Sequence, residues 1–168
     1  SWSCFSSVSS WSSSISKIIK RRPKMLVGKP GLDGHSNGAE QIAVRSRDIG
    51  IEVVYEGIRS TPEQLVVAAI EEGVHIIGLS ILSGSHVHLV NVILDLLKKN
   101  KYSHIPVIVG GIIPPDDEKK LLKKGVKAVF TPKDFKIENI LKKITKIIKA
   151  SVWAKKNSWI CNWAFKTT

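Results

Sequence analysis

From Lys24 onward, short apolar runs alternate with longer stretches of helical periodicity. Met25–Gly28, Glu52–Tyr55, His75–Leu79, Val107–Val109 and Ala128–Phe130 have the length and the Val/Ile content of strands. Between and after them, Ala39–Ile49, Pro62–Glu72, His86–Lys99, Pro115–Lys124 and Phe135–Lys149 read as helices. In the last of these, Ile137, Ile140, Leu141, Ile144, Ile147 and Ile148 form one apolar stripe, suited to packing on a sheet. Thr61-Pro62 is a strong helix start, with Thr as N-cap and Pro at the first helical position. This alternation predicts an α/β domain with a five-stranded parallel sheet and helices on both faces. Five units with short strands predict the flavodoxin-like (Rossmann-like) strand order 2-1-3-4-5.

Composition divides the chain into three zones. Residues 1–23 are rich in Ser, end in a basic run and contain no acid, which predicts a poorly ordered tail. Such a segment is also compatible with an organellar transit peptide, although two Trp in so short a stretch fit that role badly. Residues 24–150 form the predicted domain. Residues 151–168 hold three of the five Trp, and the sequence assigns them no role. Both Cys, at 4 and 161, lie in the outer zones without metal-site spacing. A Cys-free domain core suits a reducing compartment: the cytoplasm is expected, or the mitochondrial matrix if the first zone is a transit segment.

The net charge of +12 is uneven. Residues 24–150 hold 19 Lys and Arg against all 14 Asp and Glu. The lysines of that zone sit in helical segments such as Lys119-Lys120 and Lys123-Lys124, with no aromatic beside them. That pattern reads as a solvated face, and no nucleic-acid partner is expected. No apolar run approaches the roughly 18 residues that span a bilayer, so no membrane role is expected.

The candidate chemistry lies where strands end. Asp33, His35 and Gly38 fall in the loop between the first strand and the first helix, just past Lys29. In an open α/β sheet, ligands bind at that edge, and the 2-1-3-4-5 order puts its crevice between strands one and three. An imidazole steadied by a carboxylate is a common metal-ligating arrangement, so His35 reads as a metal ligand and Asp33 as the group that fixes its tautomer. Past strand three come Ser80, Leu82, Ser83 and Gly84; past strand four come Gly110 and Gly111; past strand five comes Thr131. Taken singly, these are ordinary caps and turns. Together, small residues on strands three and four leave a slot beside the sheet, hydroxyls at Ser80 and Thr131 offer polar contacts, and His35 stands at the mouth. A deep slot with a metal ligand at its rim suits a cofactor with a flat metal-bearing face and a long tail.

These residues make the chain resemble the cobalamin-binding domain family. The D-x-H-x-x-G, S-x-L and G-G motifs occur in register in KPGLDGHSNGAEQIA (29–43), EGIRSTPEQLVVAAIEEGVHIIGLSILSGSH (56–86) and IPVIVGGIIP (105–114). The resemblance covers residues 24–150 and is greatest to the cobalamin domain of methylmalonyl-CoA mutase and to the small subunits of related acyl-CoA mutases. One departure is visible: Ser36-Asn37 stand where mutase domains commonly have Asp-Arg. Neither position is the ligand, so binding is expected to survive.

The resemblance implies adenosylcobalamin as cofactor, bound with its own base displaced from cobalt. His35 is then the lower axial ligand, Asp33 accepts its other ring N–H, and Lys29 extends that relay. The displaced nucleotide tail enters the slot lined by Gly38, Ser80, Leu82, Gly110, Gly111 and Thr131. The implied partner is a mutase large subunit carrying a barrel, through which alone an acyl-CoA would be rearranged; this chain carries no catalytic residue and is inactive by itself. Two other classes stand beside this expectation. One is a corrinoid carrier for methyl transfer or a cobalamin-dependent regulator. The other is a flavodoxin-like domain that has lost its cofactor.

Overall fold

A computed structural model describes residues 16–17, 20–29, 37–58, 61–81, 86–131 and 136–166; at 37, 57, 58, 86 and 156–166 it describes the backbone course alone. Strands and helices alternate: β1 (Lys24–Lys29), α1 (Asn37–Asp48), β2 (Glu52–Ile58), α2 (Pro62–Glu72), β3 (Ile76–Ser80), α3 (His86–Lys99), β4 (Val107–Gly110), α4 (Pro115–Lys124), β5 (Ala128–Phe130) and α5 (Ile137–Lys166). The strands form one parallel sheet in the order β2-β1-β3-β4-β5, the order expected from the sequence.

Because side chains alternate across a strand, each strand feeds two cores. Leu26, Ile77, Leu79, Val107 and Val109 pack with Leu65, Val66, Val90, Ile93 and Leu121 of α2, α3 and α4. Met25, Val27, Ile76, Ile108 and Phe130 pack with Ala39, Ala43, Ile140, Leu141 and Ile144 of α1 and α5. Both faces of the central strands are therefore dry, which explains why their sequences are nearly continuous apolar runs.

Local chemistry sets the helix ends. Thr61 Oγ1 accepts from Gln64 N–H at 3.2 Å, and Gln64 Oε1 accepts from Thr61 N–H at 3.0 Å. This reciprocal box satisfies two otherwise orphaned donors and stabilises α2 by about 1 kcal/mol. Gly73 closes the same helix in the left-handed region, at φ 62°, where a side chain would be strained.

The last helix departs from the expected boundary. Its apolar stripe predicts an end near Lys149, yet α5 runs on without a break to Lys166. Val152 packs against the α1/α5 core, and Ser151 Oγ donates to the His104 carbonyl at 3.1 Å. The start of the third compositional zone is thus continuous with the domain helix.

Candidate functional site

The carboxyl ends of β1 and β3 define the switch point of the sheet. Beside it, between the sheet and helices α1 and α5, lies a cavity of about 370 Å³. Pairing register explains why it exists. On the face toward α1 and α5, Val27 neighbours Gly78, Gly78 neighbours Ile108, Ser80 neighbours Gly110, and Gly110 neighbours Phe130. The middle of the sheet thus presents Gly78, Ser80 and Gly110 where parallel strands ordinarily carry branched side chains. Helix α1 closes one side with Gly38, Ala39 and Ile42, and α5 closes the other with Ile140 and Ile144. Gly111, Ile112 and Thr131 complete the lining.

The glycines do different things. A Cβ on Gly78 would meet the Ile108 side chain and the Leu26 carbonyl oxygen at 3.7 Å, and one on Gly110 would meet the carbonyl oxygens of Phe130 and Leu79 at 3.9 and 4.0 Å. These are ordinary contacts, so the backbone tolerates a side chain at either position and its absence leaves space. A Cβ on Gly111 would collide with the Ile81 carbonyl oxygen. Gly111 is therefore required by the close approach of two backbone segments, whatever the cavity holds. Around it, Gly111 N–H donates to the Phe130 carbonyl and Ile81 N–H to the Gly110 carbonyl, each at 3.0 Å.

Lys29, at the end of β1, is 1% exposed, and its Nζ has no hydrogen-bond partner among the described residues. An ammonium group buried without a partner is costly. The chain holds it where the segment bearing Asp33 and His35 begins.

Of the residues singled out in the sequence, Gly38, Ser80, Gly110, Gly111 and Thr131 line one cavity. Lys29 is buried at the edge of β1 and does not line it. Asp33, His35 and Leu82 lie outside the described residues. Sequence reading missed Gly78 and the apolar walls of the slot. A lone Gly inside IIGLS was a signal for close approach or missing bulk, but only the register with Ile108 and Val27 puts it on the cavity floor.

The dimensions and chemistry of this slot suit a flat heteroaromatic base with a sugar attached: a glycine floor, apolar walls, and two hydroxyl-bearing residues at Ser80 and Thr131. Residues 23–140 match the B12-binding domain family. The chain belongs to that family. Its relatives include ethylmalonyl-CoA mutase of Methylorubrum extorquens, 52% identical over 130 residues that make up 77% of this chain and 19% of that protein. Methylmalonyl-CoA mutase of Escherichia coli is 40% identical over 67% of this chain and 16% of its own length. The 2-hydroxyisobutanoyl-CoA mutase small subunit of Aquincola tertiaricarbonis is 38% identical, covering 70% of this chain and 88% of that subunit. The chain thus spans about a fifth of the large mutases it matches and most of the small subunit. Among solved structures, a cobalamin-binding protein from Desulfitobacterium hafniense shares the fold with a TM-score of 0.65 at 17% identity, over 86% of this chain and 69% of that one. Response-regulator receiver domains share it more distantly, at a TM-score of 0.55. The flavodoxin-like architecture is therefore common ground, while the B12-binding assignment rests on sequence. Among the described residues no helix is long and apolar enough to cross a membrane.

Proposed function

We propose that this chain is the cobalamin-binding part of an adenosylcobalamin-dependent acyl-CoA mutase. The observation that carries the reading is the cavity floored by Gly78, Ser80 and Gly110 beside the β1/β3 switch point, in a member of the B12-binding family. The glycine floor of this slot would hold the nucleotide tail of the cofactor, with Ser80 and Thr131 as polar contacts. His35 would ligate the cobalt, with the cofactor's own base displaced. Asp33 accepts the second ring N–H of His35 and holds its tautomer. Lys29, buried and without a hydrogen-bond partner among the described residues, extends that relay.

When bound, adenosylcobalamin supplies a carbon radical by homolysis of its cobalt–carbon bond. The chain's own residues bind, orient and exclude water on one side. The other side is shielded by a large barrel-bearing partner, in which the acyl-CoA is rearranged. Ile112, 67% exposed and part of the cavity lining, places apolar surface on the face that partner would cover. Identities of 52% and 49% to two ethylmalonyl-CoA mutases, against 40% and 43% to two methylmalonyl-CoA mutases, make the barrel portion of an ethylmalonyl-CoA mutase the first partner to try.

The test is reconstitution. The chain alone should retain adenosylcobalamin through gel filtration yet show no mutase turnover, and turnover should appear when the barrel portion is added. Turnover by the chain alone would refute the division of labour. Cofactor retention without stimulation of any mutase barrel would favour a corrinoid carrier.

A further inference from the structure

The cavity beside the switch point is not uniform along its depth. At the strand ends it is lined by Ser80, Gly110, Gly111 and Thr131, all partly exposed. Deeper in, its side chains are Met25, Val27, Ile108, Phe130, Ile140 and Ile144, each at most 8% exposed. Strand polarity sets this gradient. Ser80 ends β3 and Thr131 follows β5, whereas Met25 and Ile108 are the second residues of β1 and β4. Ile144 lies about two turns into α5. Backbone groups do not make up the lack of polar side chains. β3 lies between β1 and β4, so its N–H and C=O groups are engaged in the two ladders. Lys143 packs over the Phe130 ring at 5.7 Å and is not a lining residue. Among the described residues, the inner cavity therefore offers apolar contact and no hydrogen-bonding side chain.

We infer that this chain selects among cobamides by the polarity of the base on the nucleotide tail, accepting an apolar ring and discriminating against a purine. The inference rests on the cobalamin reading above and narrows it to a chemical class of cofactor. Dimethylbenzimidazole presents a single free ring nitrogen, and p-cresol presents none. Adenine, of the same bicyclic size as benzimidazole, presents an amino group and several ring nitrogens. Each donor or acceptor buried without a partner costs free energy, and the inner walls supply no partner. The base's own capacity to ligate cobalt does not enter, because on that reading His35 takes the cobalt. The ranking therefore follows apolarity: p-cresol and dimethylbenzimidazole together, adenine behind them.

Equilibrium dialysis of the 168-residue chain against the adenosylated cobamides of dimethylbenzimidazole, p-cresol and adenine tests this, read by visible absorbance. The first two should bind with similar affinity, and the adenine form about 10–100-fold more weakly. Val27→Thr and Ile140→Gln each put a hydrogen-bonding group on the inner wall while keeping its bulk. In whichever variant keeps a normal circular dichroism spectrum, the gap should narrow, with the adenine form gaining and the others losing. Adenine binding as tight as that of the other two would overturn the proposal and leave the cobalamin reading standing. So would p-cresol binding as weak as adenine, since ring shape and not polarity would then decide. A gap that no folded variant narrows would overturn the assignment to these walls. Failure of all three to bind would sink the cobalamin reading itself, and the proposal with it.

Discussion

At the scale of single residues, Lys29 and Gly111 are the instructive pair. Lys29 buries its side-chain nitrogen with no hydrogen-bond acceptor among the described residues, which costs the fold free energy. The proposed reason is Asp33, and through it His35. Lys29→Met should therefore raise the stability of the cofactor-free chain by about 1–2 kcal/mol, read as a higher unfolding temperature. The same change should weaken cobalamin binding by about 10–100-fold, the usual effect of losing support for a metal-ligating His. Equal affinity in the variant would remove Lys29 from the relay. Gly111 teaches the opposite lesson. It is adjacent in sequence to Gly110 and looks equivalent there, yet its missing side chain is required by the Ile81 carbonyl. Gly111→Ala should fail by unfolding, so loss of cobalamin in that variant would carry no information about the tail.

At the scale of elements, the slot is a property of three strands acting together. Gly78 offers the cleaner probe, because its backbone accepts a Cβ and a longer side chain would extend into the cavity. Gly78→Leu should remain folded, with normal circular dichroism, because it removes a strand glycine and fills empty space. It should not retain cobalamin. Retention at wild-type affinity would mean that the tail lies elsewhere. The elements themselves were largely legible in the sequence. The periodicities of α2, α3 and α4 gave their observed limits, because Thr61-Pro62 starts α2, Gly73 ends it, and Gly125 ends α4. The slot was legible only in outline. Ser80, Gly110 and Thr131 announce themselves at strand ends, whereas Gly78 becomes a floor residue only through its pairing with Val27 and Ile108, which one strand's sequence does not contain. The continuation of α5 was hidden for a different reason. Val152 keeps the four-residue spacing from Ile144 and Ile148, but the appearance of Trp and the loss of acidic residues set a compositional boundary inside the helix.

At the scale of the whole molecule, the two ends of the sheet behave differently. The amino-terminal edge gives the chain a distinctive acid response. His75 titrates near 4 in the folded chain, against about 6.5 when unfolded. Between those values the unfolded state binds a proton that the folded state refuses, so stability falls as pH drops from about 6.5 toward 4. His75→Asn, which can keep an acceptor for the Lys24 N–H, should flatten that part of the profile. Thermal unfolding measured across the same range checks it, and an unchanged slope would assign the acid sensitivity to other groups.

The carboxyl-terminal edge carries the central claim, that His35 ligates the cobalt of a base-off cobalamin. Electron paramagnetic resonance of the Co(II) form bound to chain labelled with nitrogen-15 histidine tests this most directly. The account predicts that the nitrogen superhyperfine triplet seen with unlabelled protein becomes a doublet on labelling, and that it is lost in His35→Ala. A triplet that survives the label unchanged would mean that the cofactor's own base still holds the cobalt, and would contradict the account.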